Sequence, residues 1–134
     1  MRDQTSWRPI SPEEAAVIRS ILSRADIRRS DPLTADLDGA LVAKETTWIL
    51  DVKVSNQGEG SDLPNGPFPA QAFVPNSAEY QGEVIIWITD GHVSGLEYAW
   101  VGDDPPTRWP RADEMEVVLQ AAKRHRKSPG VLGG

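Results

Sequence analysis

The chain has 134 residues, 39% of them hydrophobic, no cysteine, and 20 acidic against 14 basic side chains for a net charge of −6. That length suits one domain able to bury roughly two thirds of its unfolded surface, read as 1–134 with 128–134 as a flexible tail. The missing thiols exclude a disulfide frame and a thiolate metal site, the acidic balance argues against holding nucleic acid, and the lack of any long apolar stretch argues against a membrane span or signal peptide.

A cytoplasmic location is therefore the expectation. Ten arginines against four lysines, with many Ala, Gly and Pro, suit a bacterial genome rich in G and C.

Ser11-Pro12-Glu13-Glu14 has the signature of a helix start: Ser11 as N-cap, Pro12 at the first helical position, Glu14 three residues after the cap. Ala15, Ile18, Ile21, Leu22 and Ala25 then fall on one side, with Arg19, Ser20, Ser23 and Arg24 largely opposite. That period predicts an amphipathic helix ending near Asp26. Ile27 to Asp38 is charged and interrupted by Asp31-Pro32, so it reads as a connecting loop, with Asp36 to Asp38 able to begin the next strand.

The period then changes. In Thr47 to Val54, Trp48, Leu50, Val52 and Val54 alternate with Ile49, Asp51 and Lys53, the pattern of a sheet with one buried face. Gly39 to Lys44 is its antiparallel neighbour, joined through Glu45-Thr46. Ser55 to Pro69 holds three Gly and three Pro and reads as a long loop, either connector or functional flap. Ala70 to Val74 is a short strand ended by Pro75.

From Gly82 to Trp100, two apolar runs flank Asp90-Gly91, a dipeptide suited to a tight hairpin turn. Two registers are open. In the direct register Glu97 faces the apolar side with Ile86 and Ile88, as a buried carboxylate fit for acid or base chemistry. A bulge at Ser94-Gly95 instead brings Leu96, Tyr98 and Trp100 to that side and turns Glu97 towards Trp87. An unpaired buried charge costs several kcal/mol, which favours the bulge. Asp103-Asp104-Pro105-Pro106 forces an extended turn. Pro110 opens a final helix with Ala112, Met115, Val118, Leu119 and Ala122 as its apolar stripe, acidic residues early and Lys123 to Lys127 late.

The chemistry is sparse. His92 and His125 are far apart and make no metal site, and neither a G-x-S-x-G elbow nor a phosphate-cradling glycine loop is present. No cofactor is expected. Asp51, Asp90 and Glu97 are the carboxylates from which an acid and base pair would be drawn. Of the five tryptophans, Trp48, Trp87, Trp100 and Trp109 fall in or beside the sheet, where aromatics are most often core. A second reading has Tyr98, Trp100 and Trp109 forming an exposed partner-binding surface bordered by Asp103 and Asp104.

The run Asp90 to Pro110, DGHVSGLEYAWVGDDPPTRWP, resembles the C-terminal part of small single-domain bacterial proteins of unassigned function. The size, acidity and helix-plus-sheet layout are similar to immunity proteins that neutralise toxins. The resemblance implies a non-catalytic protein-binding module that blocks a basic partner, such as a toxin domain, by steric and charge complementarity. The alternative is a small enzyme or ligand-binding domain with a pocket around Glu97 and Trp87. The expected fold is α+β, an antiparallel sheet of about five strands with an N-terminal and a C-terminal helix.

Overall fold

Ser11 and Glu14 exchange the reciprocal bonds of a capping box: the Glu14 amide donates to Ser11 Oγ at 3.1 Å and the Ser11 amide donates to Glu14 Oε1 at 2.9 Å. From this start helix α1 runs over Pro12–Ala25, with the predicted bounds. Its stripe of Val17, Ile18, Ile21 and Leu22 is buried, and truncating one such side chain, Ile18→Ala, costs about 2–5 kcal/mol. The computed structural model describes residues 6–25, 31–55, 60–75 and 81–119.

The fold is α+β, with a larger sheet than the five strands expected. Among the described residues two helices, α1 and α2 (Asp31–Asp36), accompany eight strands: β1 (Arg8–Pro9), β2 (Leu41–Thr46), β3 (Ile49–Lys53), β4 (Gly66–Pro67), β5 (Ala70–Val74), β6 (Gly82–Thr89), β7 (His92–Trp100) and β8 (Glu116–Leu119). All pairings are antiparallel, in the order β1-β2-β3-β7-β6-β5-β8. Strand β4 pairs with the turn-proximal half of β6, Pro67 opposite Trp87, while β5 takes the other half.

Three sequence readings are corrected here. Asp31-Pro32 starts helix α2 instead of breaking the chain, because proline's fixed φ and missing amide suit the first turn of a helix. The stretch read as featureless loop supplies strand β4. Where the final helix was expected, Ala112–Glu114 is a single 3-10 turn and 116–119 is strand β8. Val117 pairs with Ala72 and packs on the core. Arg24, in the last turn of α1, donates to the carbonyls of Ala112 at 2.7 Å and Met115 at 2.6 Å. Those are carbonyls that a continuing helix needs for its own i+4 amides. The rest of the expected helix and the tail at 128–134 lie outside the described residues.

The core occupies one side of the sheet. Both helices pack there, on Val42, Leu50, Val52, Ala72, Val84, Ile86 and Leu96. Asp90 and Gly91 both adopt positive φ, 52° and 80°, as a tight two-residue hairpin turn requires. Beyond it Ile88 faces Val93, but Trp87 faces Gly95, so Ser94 is the extra residue of a bulge. Leu96 and Tyr98 thereby join the core and Glu97 turns to the opposite face. The cost of burying a carboxylate has set the register.

Candidate functional site

The side of the sheet away from the helices carries the functional candidates. On the four central strands its outward positions are Ile49, Asp51 and Lys53 of β3, Glu97 and Ala99 of β7, Glu83, Ile85 and Trp87 of β6, and Gln71 and Phe73 of β5. Ile49, Ile85 and Phe73 are half-buried, and Trp87 is 36% exposed. None of them belongs to the hydrophobic core. Among the described residues these apolar side chains share the face with Asp51, Glu83 and Glu97 and no helix packs on it, and Lys53 is engaged at its corner, its ammonium 4.8 Å from the Trp7 ring centroid.

Trp87 is the centre of this face. A side chain at Gly95 would place its Cβ 3.3 Å from Trp87 Cβ and Cδ1, so the glycine leaves the indole room to lie across β7. There the indole Nε1–H donates to Glu97 Oε1 at 3.2 Å. On the other flank of β6, Gln71 Nε2 donates to Glu83 Oε2 at 3.4 Å. Two concavities open on the same face. A small one of about 150 Å³ is walled by Pro67, Gln71, Glu83, Ile85 and Trp87. A larger one of about 510 Å³ is walled by Phe73, Gln81, Glu83, Ala99 and Val101. Glu83 is common to both, so a carboxylate stands between the two concavities beside β5 and β6.

The residues singled out from the sequence divide sharply. Tyr98 and Trp109 are 2% and 5% exposed and belong to the core, so they are not an exposed surface. Tyr98 stacks on Trp109 at 5.9 Å, and both meet Trp48 edge to face at 5.9 and 5.3 Å. Aromatic clusters of this geometry bury large areas and add favourable ring contacts to them, and Trp109 brings the chain after β7 back onto the core. Trp100, Asp103 and Asp104 are exposed. Their turn leaves the sheet at Val101, a wall of the larger concavity.

Of the carboxylates weighed for acid and base work, Asp51 and Glu97 share the outer face. Asp51 lies opposite Gly95, making it a diagonal neighbour of Glu97 at about 7–8 Å between backbones. Asp90 does not join them. It sits in the hairpin turn, where its amide donates to Asn65 Oδ1 at 2.8 Å. Glu97 and Trp87 do meet, as the pocket alternative requires, but on the outer sheet face.

Sequence reasoning missed Asp36. Fully buried at the end of α2, it accepts His92 Nδ1–H at 2.9 Å and the Val93 amide at 3.0 Å. Ser61 ties the neighbouring loop to the same turn, its amide donating to the Gly91 carbonyl at 2.8 Å. One carboxylate oxygen of Asp36 takes the His92 side chain and the other the Val93 backbone, so Asp36 acts as a latch between helix and hairpin. The one sequence signal was a carboxylate between the apolar residues Leu33 and Leu37. Among the described residues no three His, Asp or Glu side chains are grouped to hold a metal ion, and no helix is long and apolar enough to cross a membrane.

No family model matches the chain, and no curated protein or solved structure shows significant similarity to it.

Proposed function

We propose that this protein is a non-catalytic protein-binding module that engages a basic polypeptide with the outer face of its sheet, in the manner of an immunity protein occluding a toxin domain. The observation that carries this reading is the outer face itself: half-buried Ile49, Ile85 and Phe73 and exposed Trp87 beside Glu83, Glu97 and Asp51, with the helices packed on the opposite side. Apolar area supplies affinity once a partner excludes water, while the carboxylates speed the encounter of a basic partner and reject acidic ones. A net charge of −6 adds long-range steering in the same sense.

Charge reversal on each face tests it. Partner capture from the native cell, measured quantitatively with the identified partner, falls at least about tenfold for the double variant Glu83→Lys, Glu97→Lys. It is unchanged for Glu13→Lys, an exposed site on α1. Reversing Asp103 and Asp104 has the smaller effect of charges at the face's rim. Equal capture by the wild type and the outer-face double variant overturns the reading.

A further inference from the structure

We infer that the outer face contains a seat for an arginine side chain of the basic partner, with Ile85 as floor, Trp87 and Glu83 as walls, and Glu97 as the residue that positions Trp87. The inference rests on the reading of the outer face as the docking surface and identifies what it grips. Ile85 lies between Trp87 and Glu83 along β6, and its cross-strand neighbour is Glu97. Direct neighbours of this kind have Cβ atoms about 4.5–5.5 Å apart. One extended basic side chain laid over Ile85 therefore meets an aromatic ring at one end and a carboxylate at the other.

The small concavity of about 150 Å³ next to Trp87 has the size of one side chain rather than of a folded element. Its walls are mixed in the way an arginine demands. Pro67 and Ile85 are apolar and suit the methylene stem, the Trp87 ring suits the planar guanidinium, and Glu83 carries the charge. Among the described residues the only side-chain hydrogen bond to Glu83 is the 3.4 Å contact from Gln71 to Oε2, which leaves Oε1 open to a donor. The indole N–H is already committed to Glu97. The bond restrains the ring's orientation, and the acceptor charge at its edge strengthens the attraction of its face for a cation. Arginine fits better than lysine because its guanidinium stacks flat on the ring while its fork of donors reaches the carboxylate, whereas an ammonium is a compact, strongly hydrated point charge.

The test is a titration of the full chain, followed by its tryptophan indole ¹H–¹⁵N signals, with a tetra-arginine amide peptide and separately with tetra-lysine amide. The Trp87 signal is assigned by its loss in Trp87→Phe. The expected result is a shift of the Trp87 indole that saturates at least about fivefold earlier with arginine than with lysine. Glu83→Gln weakens the arginine response most. Glu97→Gln removes the arginine preference while leaving residual binding, which a role limited to stability would not do. Both variants are near-isosteric at half-exposed positions, and retained dispersion of the amide spectrum shows that they fold. Equal response to both peptides, or shifts confined to residues of the Asp103-Asp104 turn, or no shift at all overturns the seat. If partner capture is still lost on reversing Glu83 and Glu97, the seat has failed and the docking face stands. If capture is indifferent to those reversals, the face itself has failed.

Discussion

Two stretches of this chain begin with the same clamp and end in different structures. At the N-terminus Arg8 grips Glu14 with two bonds of 3.0 and 2.7 Å, and Glu14 also accepts the Ser11 amide. One hundred residues later Arg108 grips Glu114 with two bonds of 2.8 and 2.9 Å, and Glu114 accepts the Arg111 amide. The spacing is identical, an arginine six residues before the glutamate and an amide donor three before it. Yet the first clamp opens a helix of 14 residues and the second a 3-10 turn of three.

Two physical differences separate them. Ser11 Oγ accepts the Glu14 amide, completing the capping box; Arg111 has only donors in its side chain, so the corresponding return bond cannot form. The second difference lies in the partners that meet the chain beyond each glutamate. After Glu14 an apolar stripe at helical period faces the sheet. After Glu114, Arg24 occupies the Ala112 and Met115 carbonyls, and the free edge of β5 offers a ladder to 116–119. A local start signal thus licenses a helix, but tertiary partners decide whether it propagates.

Removing the glutamate of the first clamp has the largest expected effect on that comparison. Glu14 is 5% exposed, and Glu14→Ala removes the acceptor of the Ser11 amide and the partner of the exposed Arg8 guanidinium, so urea denaturation shows a loss of about 2 kcal/mol. A loss no greater than that of Glu114→Ala would erase the distinction between the two clamps.

Arg24→Ala comes next, at about 1–2 kcal/mol for two charge-assisted bonds to backbone. Hydrogen exchange locates it: amides of the β5–β8 ladder lose protection while those in the middle of α1 keep theirs. If β8 stays protected, strand pairing alone arrests the helix, and Arg24 is only an ornament of it.

The smallest effect is that of acid on the second clamp. The Arg108 guanidinium and the Arg111 amide hold the Glu114 carboxyl down, from its ordinary value of 4.5 to about 2. Since the folded value is the lower one, the stabilisation is full above pH 4.5 and is lost as the pH falls through about 2. The advantage of the wild type over Glu114→Gln in stability measurements should follow that course, and remain small because the pair is partly solvated. At Glu14 burial pushes the carboxyl up, but Arg8 and the Ser11 amide outweigh it and hold it below the usual range. Its contribution disappears on acidification in the same direction.

The outer face was legible in part. Glu97 beside Trp87 followed from the cost of burying a charge, but Glu83 as the shared wall of two concavities did not, because a concavity depends on how β5, β4 and β6 lie side by side. Asp103 and Asp104 were found at an exposed turn as their prolines require. Tyr98 and Trp109 were open to either reading, since an aromatic beside a sheet satisfies core and interface equally well until its neighbours are known.

The features that the sequence determined by itself are those whose hydrogen bonds close within a few residues: the capped start and period of α1 and the Asp90-Gly91 turn; the bulge that keeps Glu97 out of the core was favoured by the sequence but fixed by the strand register. Only the tertiary structure decided the fate of 112–119, the helical role of Asp31-Pro32, the burial of Trp109 and the latch at Asp36. In most of these the deciding partner comes from far along the chain, Arg24 for Ala112, Ala72 for Val117, Trp48 for Trp109 and His92 for Asp36. Local patterning encodes a preference for each segment, and the competition for carbonyls, edges and buried volume selects among those preferences.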